Sequence, residues 1–437
     1  MKFNEELKKI SPSFAHYGIE GGATAVVVLR WRGASCALVG SSGGRCALYS
    51  LDACALIATL WEDPQHRSII AVGEWQLPNE SVMSSSSNAS STSSCTHVWI
   101  HFRGSAIEVF QLVENAALTR LVLTGPRIPT GHYGFCTAIS DWPHNRFIVP
   151  DYEDDKTVVK IRYAGGGEKC IRMDREFLTD AYLRSGDGDA PARLHAAQLD
   201  ILQPFSGMLM AMEIFHEAIV DRTGNSHSGQ VNTDDAVHYL FLAFEDSTVA
   251  LYNTRLKRIV DFMKHPKHHE FVCWSVAEFS GANFDAKIFF SIATMKQAYL
   301  IGFDTSRMFF EAYGVIYKSP NISTTSLAMF PSTTADRRPR VACALASGVV
   351  EIYELSLRGE AHSTSIAIDD DDGGSDSKPV FHATKCYVID FHAGHSITAL
   401  RVFAEDVRNE KPPKRDDTPK QLLVVGCNVG KLSIYHL

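Results

Sequence analysis

Three histidines in the stretch HPKHH are the first candidates for chemistry, because imidazole nitrogens are common metal ligands. They are His265, His268 and His269. No carboxylate or cysteine completes a coordination set with them, and the stretch comes just before an alternating apolar run that is typical of a strand. We therefore interpret these histidines as residues that lead into a strand, and we expect no metal site.

Two adjacent carboxylates and one glycine-rich turn are the other candidates. Glu245 and Asp246 in FEDST could act as an acid–base pair, but an Asp followed by Ser in a hairpin turn more often accepts hydrogen bonds from its own backbone. The stretch GSSGGR (40–45) lacks the Lys-Ser/Thr of a phosphate-binding loop and follows no βαβ pattern, so it reads as a hairpin turn. We expect no catalytic residue and no cofactor, and the partner-binding residues stay unknown.

Composition excludes several classes of protein. The 437 residues carry a net charge of −8, which gives no general attraction to nucleic acid or to anionic membranes. The start MKFNEELKKISPSF lacks the apolar core of a signal peptide, and no run is long enough to span a membrane. The ten cysteines form no CxxC pair, so we interpret them as reduced and mostly buried. These features predict a cytoplasmic or nuclear protein.

Charged runs add one open question. The acidic run Asp369–Asp372, followed by Ser375 and Ser377, is either a phosphorylation site or docking tail, or a solvated loop. The basic stretches 336–340 and 411–415 are too short, and too diluted by Pro and Asp, to indicate nuclear import or nucleic-acid binding.

The elements that would position such residues are β-hairpins. Seven segments share one template, an apolar run, a short polar or Gly turn, and an alternating run that ends on an aromatic or large aliphatic residue. In five of them the small residue before the turn and the closing aromatic are nine residues apart, for example Gly40 to Tyr49 and Gly426 to Tyr435. A further apolar stretch precedes most hairpins. The seven segments are 37–51, 97–112, 146–163, 238–254, 287–304, 340–355 and 421–437.

This repeat predicts an all-β fold, a seven-bladed WD-repeat β-propeller that forms one domain over residues 1–437. A blade of this type has four strands in about 40–45 residues. The Trp-Asp pair that ends the third strand has drifted here to Tyr-Ser, Phe-Gln or similar pairs, which keep the aromatic body. Longer intervals indicate loop insertions without periodic apolar residues. The predicted insertions are 79–96, 164–193, 222–236, 358–380 and 405–420.

The last repeat lacks an outer strand, since its third strand ends at Leu437. A blade of three strands would leave an open edge. The segment 9–18, KISPSFAHYG, carries Ile10, Phe14 and Tyr17 before the first repeat. We therefore predict that it supplies the outer strand of the last blade and closes the ring.

Four features resemble the ASTRA-associated WD-repeat proteins, a family also known as G-protein β-subunit-like proteins. SPSFAHYG stands directly before the first repeat, the tripeptide Gly134–Cys136 opens the third, and an apolar run after it ends in Val149 and Pro150. The fourth repeat reads LAFEDSTVALYN, and the chain ends on the third strand of blade seven. The weak Trp-Asp signature marks a divergent member.

The resemblance implies a non-catalytic scaffold that works with the triple-T cochaperone to mature phosphatidylinositol-3-kinase-related kinases. Some members are also linked to chromatin-remodelling complexes. We expect a monomer inside a larger protein complex, without direct contact to nucleic acid or membrane. Two alternatives stay open, a subunit of an unrelated assembly such as a ubiquitin-ligase substrate receptor or chromatin reader, and a propeller enzyme. The Trp-Asp-x-Arg box common in such receptors is missing from all seven repeats, which counts against that version.

Overall fold

A computed structural model describes most of the chain as β-strands with two short helices. The chain divides into two compact units, Met1–Leu56 with His269–Leu437, and Ile57–His268. No helix in the described part is long and apolar enough to cross a membrane. The described residues are 8–75, 96–115, 118–131, 136–141, 144–154, 156–183, 196–216, 238–264, 270–281, 284–318, 323–330, 338–357, 381–404 and 421–437.

The strands before the second unit and those of its three sheets come first in the chain. In order they are β1 (Lys8–Lys9), β2 (Phe14–His16), β3 (Ala23–Trp31), β4 (Ala34–Ser41), β5 (Arg45–Ser50), β6 (Ala55–Glu62), β7 (Ile69–Trp75), β8 (His97–Phe102), β9 (Ala106–Asn115), β10 (Leu118–Pro129), β11 (Ile139–Asp141), β12 (Arg146–Glu153), β13 (Lys156–Tyr163), β14 (Glu168–Arg172), β15 (Leu209–His216), β16 (His238–Phe244), β17 (Thr248–Asn253) and β18 (Arg258–Lys264).

The remaining strands return to the first unit, and both helices lie between β14 and β15. These strands are β19 (Phe271–Gly281), β20 (Phe284–Thr294), β21 (Gln297–Asp304), β22 (Phe309–Lys318), β23 (Thr324–Phe330), β24 (Arg340–Leu345), β25 (Val350–Leu357), β26 (Phe381–Ile389), β27 (Ile397–Ala404), β28 (Gln421–Cys427) and β29 (Leu432–His436). The helices are α1 (Arg175–Leu183) and α2 (Ala196–Leu202).

Seven sheets follow one another, and in each the strands pair in chain order: β3 to β6, β7 to β10, β11 to β14, β15 to β18, β19 to β22, β23 to β26, and β27 to β29 completed by β2. The predicted seven-bladed β-propeller is therefore confirmed, and we number the blades one to seven in this order. Each predicted hairpin forms the second and third strands of its blade.

The common turn length predicted for five hairpins is also confirmed. Each of the five pairs a residue with the one six positions later, which leaves five residues between the two paired residues. Blades three and five have another register, Glu153 with Lys156 and Ala293 with Ala298. The five pairs are Gly40 with Cys46, His101 with Ile107, Ala243 with Val249, Ala344 with Val350, and Gly426 with Leu432.

The outer strand of blade seven comes from the N-terminal segment, as predicted. Strand β2 runs antiparallel to β29, and Phe14 lies opposite Ile434. The preceding strand β1 adds a contact that the sequence did not predict, a parallel pairing of Lys8 and Lys9 with β26 of blade six. We call residues 8–17 the strap, because they pair with β26 of blade six and with β29 of blade seven.

Apolar cores lie between neighbouring blades within each unit. Phe14 packs with Tyr49 of blade one and Val424 of blade seven, and Tyr252 packs against strands of blade three and helix α1. The predicted closing residues of the third strands are all buried, as expected for side chains packed between blades. They are Tyr49, Phe110, Ile161, Tyr252, Ile301, Tyr353 and Tyr435.

One predicted insertion is partly wrong. In 164–193 the structure has strand β14 and helix α1, where the sequence predicted a loop. The helix begins at an Asp cap, because Asp174 Oδ1 accepts a hydrogen bond from the amide of Phe177 at 2.9 Å. The inner face of the helix is buried and carries Leu178, Ala181 and Tyr182. Residues 184–193 and nearly all of the other four insertions lie outside the described residues.

Pro150 lies within β12, the second strand of blade three, where proline is unusual because it donates no backbone hydrogen bond. Strand β11 has only three residues, and its pairing with β12 covers Arg146 to Ile148. Beyond Ile148, no strand in the described part of the chain pairs with β12 on that side. The short first strand therefore explains how the blade accommodates the Val-Pro pair.

Candidate functional site

The carboxylate pair Glu245–Asp246 binds its own blade. Asp246 Oδ1 accepts the amide of Thr248 at 3.0 Å, as predicted for a turn Asp, and Oδ2 accepts the amide and the hydroxyl of Ser206 at 3.1 and 3.0 Å. Lys264 Nζ lies 2.9 Å from the same oxygen. Glu245 accepts the amide of Met208 at 3.1 Å. The pair thus ties the turn of blade four to the segment that enters the blade.

In blade two, an arginine connects the turn between the second and third strands to the segment that enters the blade. Arg67, in the segment before β7, donates to Asp63 at 2.7 Å and to Ser105 in the β8–β9 turn at 2.9 Å. Its guanidinium lies 4.2 Å from the ring centroid of Phe102 and contacts Glu108. Burial raises the pKa of Asp63, but the hydrogen bonds from Arg67 outweigh this effect and keep it below its usual value.

In blades six and seven, glycines in the β24–β25 and β28–β29 turns instead contact the segment that enters the next blade. Gly348, at φ +80°, lies so close to the carbonyl oxygens of His392 and His395 that a Cβ atom would clash with both. Gly430, at φ +76°, approaches the backbone of Ile19 in the same way, and the amide of Ile19 donates to the Gly430 carbonyl at 3.1 Å. These close approaches explain why the turns carry glycine.

The other predicted residues fall into two groups. The stretch GSSGGR forms the β4–β5 turn, with Gly44 at φ +81°, as predicted. In the basic stretch 336–340, Arg338 contacts Glu354 at 2.9 Å and Arg340 donates to Gln421 at 2.7 Å. The rest lies outside the described residues: His265, His268, His269, Asp369–Asp372, Ser375, Ser377 and 411–415.

Among the described residues, no group of three or more His, Cys, Asp or Glu could hold a metal ion. The nine described cysteines are all free, and five of them are buried. Burial raises the pKa of the Cys46 thiol to about 12, so this thiol stays protonated at neutral pH.

A buried histidine belongs to the loop that joins β26 to β27. His392 is 0% exposed, and its Nε2 is 2.7 Å from Ser433 Oγ on β29. Its Nδ1 has no hydrogen-bond partner in the described part of the chain. Burial, with the positive charges of Lys431 and His395, lowers the pKa of His392 to about 4. Imidazole is therefore neutral here at physiological pH.

The surface above this histidine is the best candidate for an interaction site. Tyr17, at the end of the strap, is 58% exposed, and its ring centroid lies 6.0 Å from that of Phe391. Lys431 Nζ lies 5.9 Å from the Phe391 centroid, and Val429 in the same turn is 49% exposed. We call these four residues the strap surface. Of the four, only Tyr17 lies in a segment that the sequence pattern singled out, because the four come from segments far apart in the chain.

Comparisons with known proteins bear on the fold. No protein-family model matches the sequence, and no curated protein matches it. The structure is similar to Raptor from Chaetomium thermophilum, with a TM-score of 0.54 and 11% identity over 98% of this chain and 29% of Raptor. The present chain thus spans under a third of Raptor.

A second similar structure is the β-propeller domain of Cps50 (Swd1) from Myceliophteria thermophila. Its TM-score is 0.51 and its identity 13%, over 97% of this chain and 100% of that domain. At such identities the likeness concerns the fold. The blade topology, the buried closing residues and this likeness together make the chain a seven-bladed β-propeller.

Proposed function

We propose that this protein is a non-catalytic scaffold that binds other proteins. The observation that carries the proposal is the role of the described charged groups in blades two and four, where Asp63, Arg67, Glu245 and Asp246 bond to their own blade and fix its turns. Large apolar side chains stay exposed on loops and outer strands, which suits contacts with proteins. They include Tyr17, Leu118, Leu123, Leu256 and Val429.

For the partners, we propose the triple-T cochaperone and phosphatidylinositol-3-kinase-related kinases, with chromatin-remodelling complexes as a further setting. This proposal is supported by the resemblance of SPSFAHYG, the GFC tripeptide and LAFEDSTVALYN to ASTRA-associated WD-repeat proteins. We expect the protein to act in the cytoplasm or nucleus, as a monomer within a larger complex.

Affinity purification of the tagged protein from its own cells, followed by mass spectrometry, tests both the scaffold function and the proposed partners. We expect triple-T subunits or these kinases among the recovered proteins. Reproducible recovery of another complex, such as a ubiquitin ligase or a chromatin reader, would support the scaffold function and contradict the proposed partners. A protein that recovers no partner but turns over a substrate would contradict the scaffold itself.

A further inference from the structure

We propose that the strap surface binds an acidic segment of a partner protein, with Tyr17 and Phe391 contacting an apolar side chain of that segment and Lys431 contacting its carboxylates. This inference rests on the proposed scaffold function and deepens it, because it names a surface and the chemistry of its partner. Three observations support it: a frame of packed backbone, an exposed tyrosine ring beside a partly buried phenylalanine ring, and an excess of positive charge.

The frame consists of three segments joined by backbone contacts. The amide of Ile19 donates to Gly430 at 3.1 Å, and the amide of Asn428 donates to Ser396 at 3.0 Å. A Cβ atom at Gly22 would clash with the backbone of Asn428. The residues after the strap, the β26–β27 loop and the β28–β29 turn are therefore packed backbone to backbone. Such a frame presents its side chains without a large ordering cost on binding.

Tyr17 is exposed although it lies next to a packed core, and Phe391 beside it is partly buried. Phe14, only three residues before Tyr17, is 9% exposed, whereas Tyr17 is 58% exposed. The Tyr17 and Phe391 rings lie at 56° to each other, so they offer both an edge and a face. Aromatic rings that are partly exposed at the surface are typical anchors of protein interfaces.

The charge around these rings is positive. Lys431 lies against Phe391, and no described carboxylate is within salt-bridge distance of it. The nearby carboxylates are already paired, Asp390 with Lys9 at 2.7 Å and Glu20 with Arg45 at 2.6 Å. Burial is the main cause of the lowered pKa of His392, and the positive charges of Lys431 and His395 act in the same direction. An anionic ligand is therefore the electrostatic complement of this surface.

An acidic protein segment fits these features better than nucleic acid does. The whole chain carries a net charge of −8, so a long polyanion would be repelled by most of the molecule. A short segment with one apolar residue and a few carboxylates would experience only the local field. It would also cover the Tyr17 and Phe391 rings.

Fluorescence anisotropy with an array of acidic peptides tests the proposal on the full chain. Each peptide carries Asp and Glu residues around one Phe, Leu or Trp at a varied position, and its control has Asn and Gln instead. We expect acidic peptides to bind, with affinity that falls as salt rises, and Lys431→Glu to weaken binding at least about tenfold. Lys296→Glu, in the corresponding turn of blade five, should leave binding unchanged. Equal melting temperatures would show that both variants fold.

Several results would overturn the proposal. They are no binding by any acidic peptide at about 1 mM, equal binding by the amide controls, an equal loss in Lys296→Glu, or tighter binding of a single-stranded oligonucleotide. Failure of the proposed function would look different. If the wild-type chain recovered no partner from cells, the scaffold would be wrong, whereas partners that bind Lys431→Glu unchanged would contradict only the strap surface.

Discussion

Glycines at the turns of blades six and seven serve two separate purposes, a left-handed backbone and a close approach. Gly348 needs both, because its φ is +80° and the carbonyls of His392 and His395 occupy the space of a Cβ atom. Gly394 needs only the first, since its φ is +84° and nothing lies within 4 Å of its Cβ position. The two residues form a matched pair.

We predict that Gly394→Ala costs about 1–2 kcal/mol of unfolding free energy, the cost of a left-handed Ala. Gly348→Ala should cost at least about 2 kcal/mol more, because the loop must also move away. Urea denaturation of both variants measures the difference. Equal losses of unfolding free energy would show that the Gly348 turn is not in close contact with the loop of His392 and His395.

One closing tyrosine, Tyr252, carries a hydroxyl that the described core does not use. Tyr252 is 0% exposed, and its hydroxyl has no hydrogen-bond partner in the described part of the chain. We predict that Tyr252→Ala costs about 3–5 kcal/mol through the cavity it leaves. Tyr252→Phe should be neutral or stabilising by up to about 1 kcal/mol, because it removes an unpaired polar atom. Thermal denaturation compares the two, and a costly Tyr252→Phe would reveal a hidden hydrogen bond.

At the scale of elements, the strap is the feature on which the first unit depends. Strand β2 has three residues, and its pairing with β29 is secured by Phe14, whose ring lies 6.1 Å from that of Tyr49. So short a strand has little backbone pairing of its own. The Phe14 side chain must therefore supply much of the attachment of β2 to β29.

We predict that Phe14→Ala lowers the unfolding free energy by about 3 kcal/mol and speeds hydrogen exchange in β29. The neighbouring variant Tyr17→Ala is the control, because its exposed ring should contribute less than about 0.5 kcal/mol. Exchange measured by mass spectrometry on β29 peptides separates the two. Unchanged protection in Phe14→Ala would mean that the strap is not held by this ring.

The sequence predicts elements whose signal is local. Alternation and turn residues were enough for the seven hairpins and their register, and the apolar spacing in KISPSFAHYG was enough for strand β2. Helix α1 was missed because it lies inside a Gly- and Asp-rich stretch. Its signal was present, since Asp174 caps a segment with Leu178, Ala181 and Tyr182 on one face.

The candidate site could not be predicted in the same way. Tyr17, Phe391 and Lys431 meet only because the strap lies beside blade seven, and no local pattern connects positions so far apart. The pairing of β1 with β26 involves two residues, which is too short for a periodicity signal. Packing between distant segments decided both features.

At the scale of the whole molecule, stability should depend on the charge of one buried residue. In the unfolded chain His392 takes up a proton near pH 6.5, whereas in the folded chain it does so only near pH 4. The unfolded state thus binds more protons between these values. The stability that neutral His392 contributes is therefore fully present above about pH 6.5, and it is lost as the pH drops towards 4.

We predict that the wild-type protein loses about 2 kcal/mol more than His392→Gln between pH 7 and pH 4.5. Asp63 and Asp141 have lowered pKa values, so their contributions are lost only at lower pH. They are common to both proteins and cancel in the difference. Parallel pH profiles of the two proteins would show that His392 is not held neutral.

We propose that this propeller works through surfaces that bind proteins. The most direct test compares the proteins recovered from cells by wild type, by Lys431→Glu and by Lys296→Glu, all expressed at equal level. We predict a stable set of partners for the wild type and for Lys296→Glu, and the loss of at least one partner from folded Lys431→Glu. A wild-type protein that recovers no partner at all would contradict the claim.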